Sequence, residues 1–195
     1  MTKIGFGFDP AWKTLGAAIV SATDTLFKFE VWDSSTSAPG DNIDGPCFHV
    51  STLIDKMLLF AGQNPADEIS VCLERFVSYG NIRSSHTEEI TRIIGQIEMK
   101  VELTPGLYGP MMLKAIDWKT KLCQTLVKYA GFDNPSSFLD KKFSIAAAKH
   151  ISTTPDVKIT DHEADAICLA AYPHIMAQAQ AARTAGRAPL GGQPT

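Results

Sequence analysis

Ile4, Phe6 and Phe8 alternate with Gly5, Gly7 and Asp9, a period of two that predicts a β-strand with one apolar face and one nearly bare face ending in a carboxylate. Gly16 to Val20 and Leu26 to Trp32 flank a turn-like stretch from Ser21 to Asp24, so the opening reads as three antiparallel strands. Ser34 to Gly45, rich in Ser, Pro, Gly and Asp, reads as a long loop. Leu53, Ile54, Met57, Leu58 and Ala61 recur at helical spacing until Asn64-Pro65 stops them. Ile69, Val71 and Leu73 then share one face of a fourth strand, and Glu74 ends it with a second strand-tip acid.

Ser85 with Glu88 predicts a capping box opening an amphipathic helix through Ile90, Ile93, Ile94, Ile97 and Val101, which Thr104-Pro105-Gly106 breaks. Met111 to Ile116 reads as a fifth, buried strand. Trp118 to Ala130 and Leu139 to His150 read as helices on either side of a turn at Asp133-Asn134-Pro135. Thr160 and Glu163 predict another capping box heading a last helix, which Pro173 is expected to kink or end. The sequence shows no internal repeat and no second apolar core. It therefore reads as one mixed-sheet α/β layer domain over 1–176, followed by a disordered tail over 177–195 in which Ala, Gln, Gly, Pro and Arg occur without acids.

Composition narrows the function classes. The 195 residues, 45% hydrophobic and 20% charged, suffice for one sizeable core. A net charge of −3 excludes a protein that coats nucleic acid by bulk basic charge. The charge is uneven, however: 8 basic and 14 acidic residues give −6 over 1–110, 7 and 3 give +4 over 111–150, and 3 and 4 give −1 over 151–195. A polyanion partner would meet the middle segment, although lysines solvated on helix surfaces produce the same count. Cys47, Cys72, Cys123 and Cys168 contain no C-x-x-C pair, which excludes a zinc knuckle and favours a reducing compartment. The cysteines and Trp118 read as core. No apolar run approaches the roughly 18 residues of a membrane span, so a cytoplasmic protein without membrane attachment is expected.

The candidate chemistry lies in the acids. Mixed sheets set the ends of sequence-distant strands side by side, so Asp9 and Glu74 can converge at one sheet edge. Apposed carboxylates either raise a pKa or recruit a divalent ion, and Mg²⁺ takes an all-oxygen shell of carboxylates, waters and phosphates. In the run Asp161-His162-Glu163-Ala164-Asp165, His162 and Asp165 share a helix face at i and i+3, as do Asp161 and Asp165 at i and i+4. Each acid also has an ordinary structural use: Asp161 complements the helix dipole, Glu163 closes the cap, and strand-end acids are commonly just solvated.

These residues resemble a family. Phe8-Asp9-Pro10 followed by Gly16 resembles the first motif of RuvC-type Holliday junction resolvases, and Leu73-Glu74-Arg75-Phe76 is similar to their strand-four glutamate motif. Trp118-Lys119, then Asp140-Lys141 with Ser144, resemble segments that precede the last helix in phage and bacterial relatives. His162-Glu163-Ala164-Asp165-Ala166 followed by Cys168-Leu169-Ala170 resembles the closing metal motif, which is His-x-x-Asp in some relatives and Asp-x-x-Asp in others, so Asp161 is an alternative to His162. Order and spacing agree from Lys3 to about Tyr172. Ala11-Trp12 departs from the small Gly/Ser pair usual after the aspartate-proline, and the aromatic that acts at the junction centre has no single counterpart among Phe76 and Tyr79.

The resemblance implies an RNase H-like fold, with a mixed five-stranded sheet, three strands antiparallel and the rest parallel, flanked by helices. It implies Mg²⁺ (two ions, Mn²⁺ substituting) held by Asp9, Glu74, His162 and Asp165, with His162 a ligand or a proton-transfer group. It further implies a homodimer that nicks symmetric strands of a four-way DNA junction, leaving 5′-phosphate and 3′-hydroxyl ends, in the cytoplasm (a host's, if phage-encoded). Lys119, Lys121, Lys141 and Lys142 are the expected phosphate contacts and Phe76 an expected substrate contact. The helix from Ser85 to Val101 is the expected dimer contact or plain core. An RNase H-like nuclease of structured RNA or other branched DNA would carry the same acids, and a non-catalytic DNA-binding relative is a further reading. An actin-like ATPase would need a Gly-rich turn where Pro10-Ala11-Trp12 stands.

Overall fold

The computed structural model describes residues 3–11, 14–37, 46–63, 66, 68–76, 84–107, 109–134, 137, 141–156 and 158–186. Five strands, β1 (Lys3–Pro10), β2 (Leu15–Ala22), β3 (Phe29–Ser37), β4 (Glu68–Arg75) and β5 (Met111–Lys114), form one sheet in the order β3-β2-β1-β4-β5. β1 pairs antiparallel with β2 and β2 with β3, whereas β4 runs parallel to both β1 and β5. Five helices complete the chain order: α1 (Pro46–Gln63), α2 (Ser84–Glu102), α3 (Ala115–Ala130), α4 (Lys141–Ile151) and α5 (Asp161–Thr184). This is the mixed antiparallel-then-parallel sheet expected from the sequence.

The period of two in β1 decides which layer covers which face. Ile4, Phe6 and Phe8 share a core with Leu15, Val71 and Leu73 of the sheet, Met57 of α1 and Ile93, Ile97 and Val101 of α2. Gly5, Gly7 and Asp9 point the other way, toward α5. A Cβ on Gly7 would lie 2.0 Å from the Ala166 carbonyl oxygen, and one on Gly16 would lie 2.3 Å from that of His162. The bare face is therefore a seat for helix backbone, and α5 packs directly on it. Around α5 a second core gathers Phe29, Cys72, Trp118, Leu122, Phe143, Ala147, Ile167 and Ile175.

Several elements differ from their predicted form. β3 begins after Phe27, whose left-handed φ of 59° is held by an N–H donated to Gln178 Oε1 at 2.7 Å. It continues through Ser34–Ser37, because an edge strand tolerates polar residues on its solvated side; the rest of the predicted loop, 38–45, lies outside the described residues. β5 is shorter than predicted and is not buried, since it is the other edge, with Met111 and Lys114 exposed. α5 runs on through Pro173 to Thr184, so 177–184 is helix rather than tail; Ala179 and Ala182 are buried, and this packing outweighs the lost N–H. Residues 187–195, Asn64-Pro65, Tyr79, Trp12 and Asp140 lie outside the described residues, as do the side chains of Cys47 and Ser85.

The apolar stripe of α2 (Ile90, Ile93, Ile97 and Val101) is core, which leaves Met99 and Leu103, with Leu59 of α1, as exposed apolar side chains on this layer. Cys72, Cys123 and Cys168 are free and buried, and Trp118 is fully buried, as the sequence suggested. No described helix is long and apolar enough to cross a membrane.

Candidate active site

Asp9 stands next to last in β1, Glu74 next to last in β4, and Asp165 one turn into α5. β1 and β4 are parallel neighbours, so their C-terminal ends lie side by side, and α5 crosses the same edge. Among the described residues these three form a group whose carboxylates can share a cation, with one oxygen from each lying within 4.8 Å of the others. Such a spacing suits an all-oxygen shell around a hard divalent ion.

The head of α5 is locked by its capping box. Glu163 N–H donates to Thr160 Oγ1 at 3.2 Å, and Thr160 N–H donates to Glu163 Oε2 at 2.7 Å. This commits Glu163 to the cap and turns Asp165 inward. Asp161 is bound instead by Lys141, whose ammonium, ahead of opposing burial, lowers the Asp161 pKa. His162 places Nδ1 2.6 Å from Asp9 Oδ2; this hydrogen bond, against partial burial, raises the imidazole pKa.

Two donors reach the other carboxylates from consecutive positions of α3, a connection that no spacing along the chain signals. Trp118 Nε1–H donates to Glu74 Oε2 at 2.9 Å, and Lys119 Nζ donates to Asp165 Oδ2 at 3.0 Å while lying 2.9 Å from Oδ1. The expected phosphate contact Lys119 is thus drawn into the cluster, its side chain only 12% exposed. Burial opposes its charge, but Asp165, Glu74 and Asp9 together outweigh burial and raise its pKa.

The electrostatics are those of a site short of positive charge. Burial, then the Asp9 charge, pushes the Glu74 carboxyl up to about 7, although the Trp118 N–H and Lys119 pull it back. Burial also raises Asp165, against the pull of Lys119 and, more weakly, of the buried Ser144 hydroxyl. Three inward carboxylates within 4.8 Å of one another, with the Glu74 and Asp165 pKa values raised, fit a divalent cation.

Phe76 is half-buried and lines a cleft of about 150 Å³ beside Glu74, together with Pro10, Arg75, Lys114, Ala115 and Ile116. Arg75 and Lys114 are register partners in the β4–β5 ladder and bring two cations to the rim. In the sequence Lys114 falls inside the expected strand Met111 to Ile116, and only the shorter β5 puts it at a strand end. Lys121 and Lys142 are exposed on α3 and α4, and Lys141 stands at the rim on Asp161.

No protein-family model matches the sequence, and no curated protein matches it. Solved structures do. The chain is similar to Thermus thermophilus RuvC in complex with a Holliday junction substrate at 15% identity and a TM-score of 0.62. It is also similar to a second Thermus thermophilus RuvC structure at 16% identity and a TM-score of 0.61. Each match covers 97% of this chain and 100% of the RuvC chain. The five-stranded mixed sheet and its covering helices thus share the fold of RuvC, the RNase H-like fold, and the acids cluster at its β1–β4 edge.

Proposed function

We propose that this protein is a structure-selective endonuclease that resolves four-way DNA junctions by metal-assisted phosphodiester hydrolysis. The supporting observation is the convergence of Asp9, Glu74 and Asp165 within 4.8 Å, on a fold shared with a RuvC bound to a Holliday junction. Divalent ions, Mg²⁺ with Mn²⁺ substituting, would supply a deprotonated water and charge neutralisation at the leaving oxygen. Asp9, Glu74 and Asp165 would hold these ions, with the Asp9 charge bearing on both of the other carboxyls.

His162, whose imidazole pKa is raised by the Asp9 carboxylate 2.6 Å away, would act as a metal ligand or as the proton-transfer group beside Asp9. The products carry 5′-phosphate and 3′-hydroxyl ends. Lys121, Lys141, Lys142, Arg75 and Lys114 hold the junction's backbone phosphates, and Phe76 packs on the substrate in the adjoining cleft. Lys119 organises the acids. One such site cuts one strand, so symmetric nicking calls for a homodimer, with Leu59, Met99 and Leu103 as the apolar surface available to it.

The decisive experiment is a gel assay on a synthetic four-way junction with a metal titration. Paired nicks are expected with Mg²⁺ or Mn²⁺, lost in Glu74→Gln while junction binding persists. Wild-type protein that leaves junctions intact with both ions removes the proposal.

A further inference from the structure

Each clustered carboxylate is met by a protein donor. His162 Nδ1 meets Asp9 Oδ2 at 2.6 Å, Trp118 Nε1 meets Glu74 Oε2 at 2.9 Å, and Lys119 Nζ meets Asp165 Oδ2 at 3.0 Å. The three donors differ in how easily they yield. His162 retains 30% exposure of its side chain, and Lys119 is a flexible ammonium that already touches both oxygens of Asp165. Trp118 is neutral, fully buried, and among the largest fully buried side chains of the core. Its indole cannot turn without repacking the layer around α5.

Resting on the reading of the acids as a metal site, we infer that Trp118 selects the cation. By donating to Glu74 Oε2, it fixes the orientation of the carboxylate, and a carboxylate that cannot turn to close on an ion with both oxygens favours a small octahedral ion over a larger one. Ca²⁺ takes six to eight oxygens and often both from one carboxylate, whereas Mg²⁺ accepts one oxygen from each of a few carboxylates and fills its octahedron with water. If Glu74 turned to close on an ion with both oxygens, it would pull away from the indole N–H and leave it buried and unpartnered, a state folded proteins avoid. Trp118 is a positioning residue in this account. It touches the ligand and never the reacting atoms.

The test reads ion choice directly, apart from cleavage. Mn²⁺ uptake by the full chain is followed through its spin-resonance signal, and Mg²⁺ and Ca²⁺ are each competed against it. The proteins are wild type, Trp118→Phe, and a chain with benzothienylalanine at position 118, which keeps the indole's shape and replaces N–H with sulfur. In both altered proteins the affinity for Ca²⁺ relative to Mg²⁺ is expected to rise by about tenfold, the scale on which groups supporting a metal ligand act. A relative affinity unchanged in the benzothienylalanine protein, with Mn²⁺ still bound, overturns the inference and leaves the metal reading standing. Wild-type protein that leaves the Mn²⁺ signal at its free intensity overturns both. A purely structural role for Trp118 would weaken all three ions alike, and that result also overturns the inference.

Discussion

His162 Nδ1 sits 2.6 Å from Asp9 Oδ2, joining the head of α5 to the tip of β1 across 153 positions of chain. Asp9 thereby holds the imidazole pKa above its usual 6.5, and the sign of the linked stability follows. A base with a raised folded pKa stabilises fully below its unfolded value, and that contribution is lost as pH rises through the folded value. His162→Ala is expected to flatten the melting temperature against pH above the usual imidazole value of 6.5. It should also slow junction nicking by roughly 10²- to 10⁴-fold at neutral pH. Thermal melts across that range and single-turnover gels measure the two effects, and a pH profile identical to wild type would contradict the pairing.

Glu74 ties pH to metal binding. Its carboxyl, pushed up to about 7 by burial and the Asp9 charge, keeps a proton that a bound cation must displace. An acid with a raised folded pKa favours the fold below its unfolded value of 4.5 and loses that contribution as pH rises through about 7. A divalent ion restores what is lost, so saturating Mg²⁺ should raise the melting temperature more at pH 8 than at pH 5.5. Equal increments in scanning calorimetry at the two pH values would show that no proton is exchanged.

Gly7 is where the fold is least forgiving. A Cβ there would meet the Ala166 carbonyl oxygen at 2.0 Å, and backbone cannot step aside. Gly7→Ala should cost about 3 kcal/mol or more in urea denaturation. Gly95→Ala, on α2 with open space around the new methyl, should instead stabilise by about 0.4–1 kcal/mol. Similar effects at the two sites would mean that α5 does not rest on the β1 backbone.

Lys119 and Lys121 are two positions apart yet have different work. Lys119 is the buried counter-ion of Asp165, and Lys121 is exposed on the same helix. Lys121→Ala should lower the salt slope of junction binding by about one. Lys119→Ala should leave that slope close to wild type and cost about 3 kcal/mol of stability, because Asp165 loses its buried partner. Anisotropy titrations over a salt series and urea melts separate the two roles, and equal slope changes would place both lysines on phosphate.

Much of this was legible in the chain. Alternation in Ile4 to Asp9 and in Ile69 to Glu74 gave both strand-tip acids and the face each occupies, because a strand's side chains have a strict period of two. The Thr160–Glu163 box gave the start of α5 to the residue, since capping is a local hydrogen-bond matter. Edge strands were less legible: Ser34–Ser37 look like loop in sequence, and the apolar β5 looks buried, because exposure at a sheet edge depends on strand order.

By itself, then, the sequence determined which groups could meet: Asp9 and Glu74 by strand parity, and Asp165 with His162 or Asp161 by helical spacing. Only the tertiary structure decided between His162 and Asp161. The bare backbone of Gly7 lies against Ala166 and that of Gly16 against His162, and this seating sets the rotation of α5 about its axis. Asp165 then turns toward Glu74, His162 toward Asp9, Asp161 toward Lys141 and Glu163 back to its cap. Helical periodicity allows several such rotations, and close packing of backbone on backbone permits one.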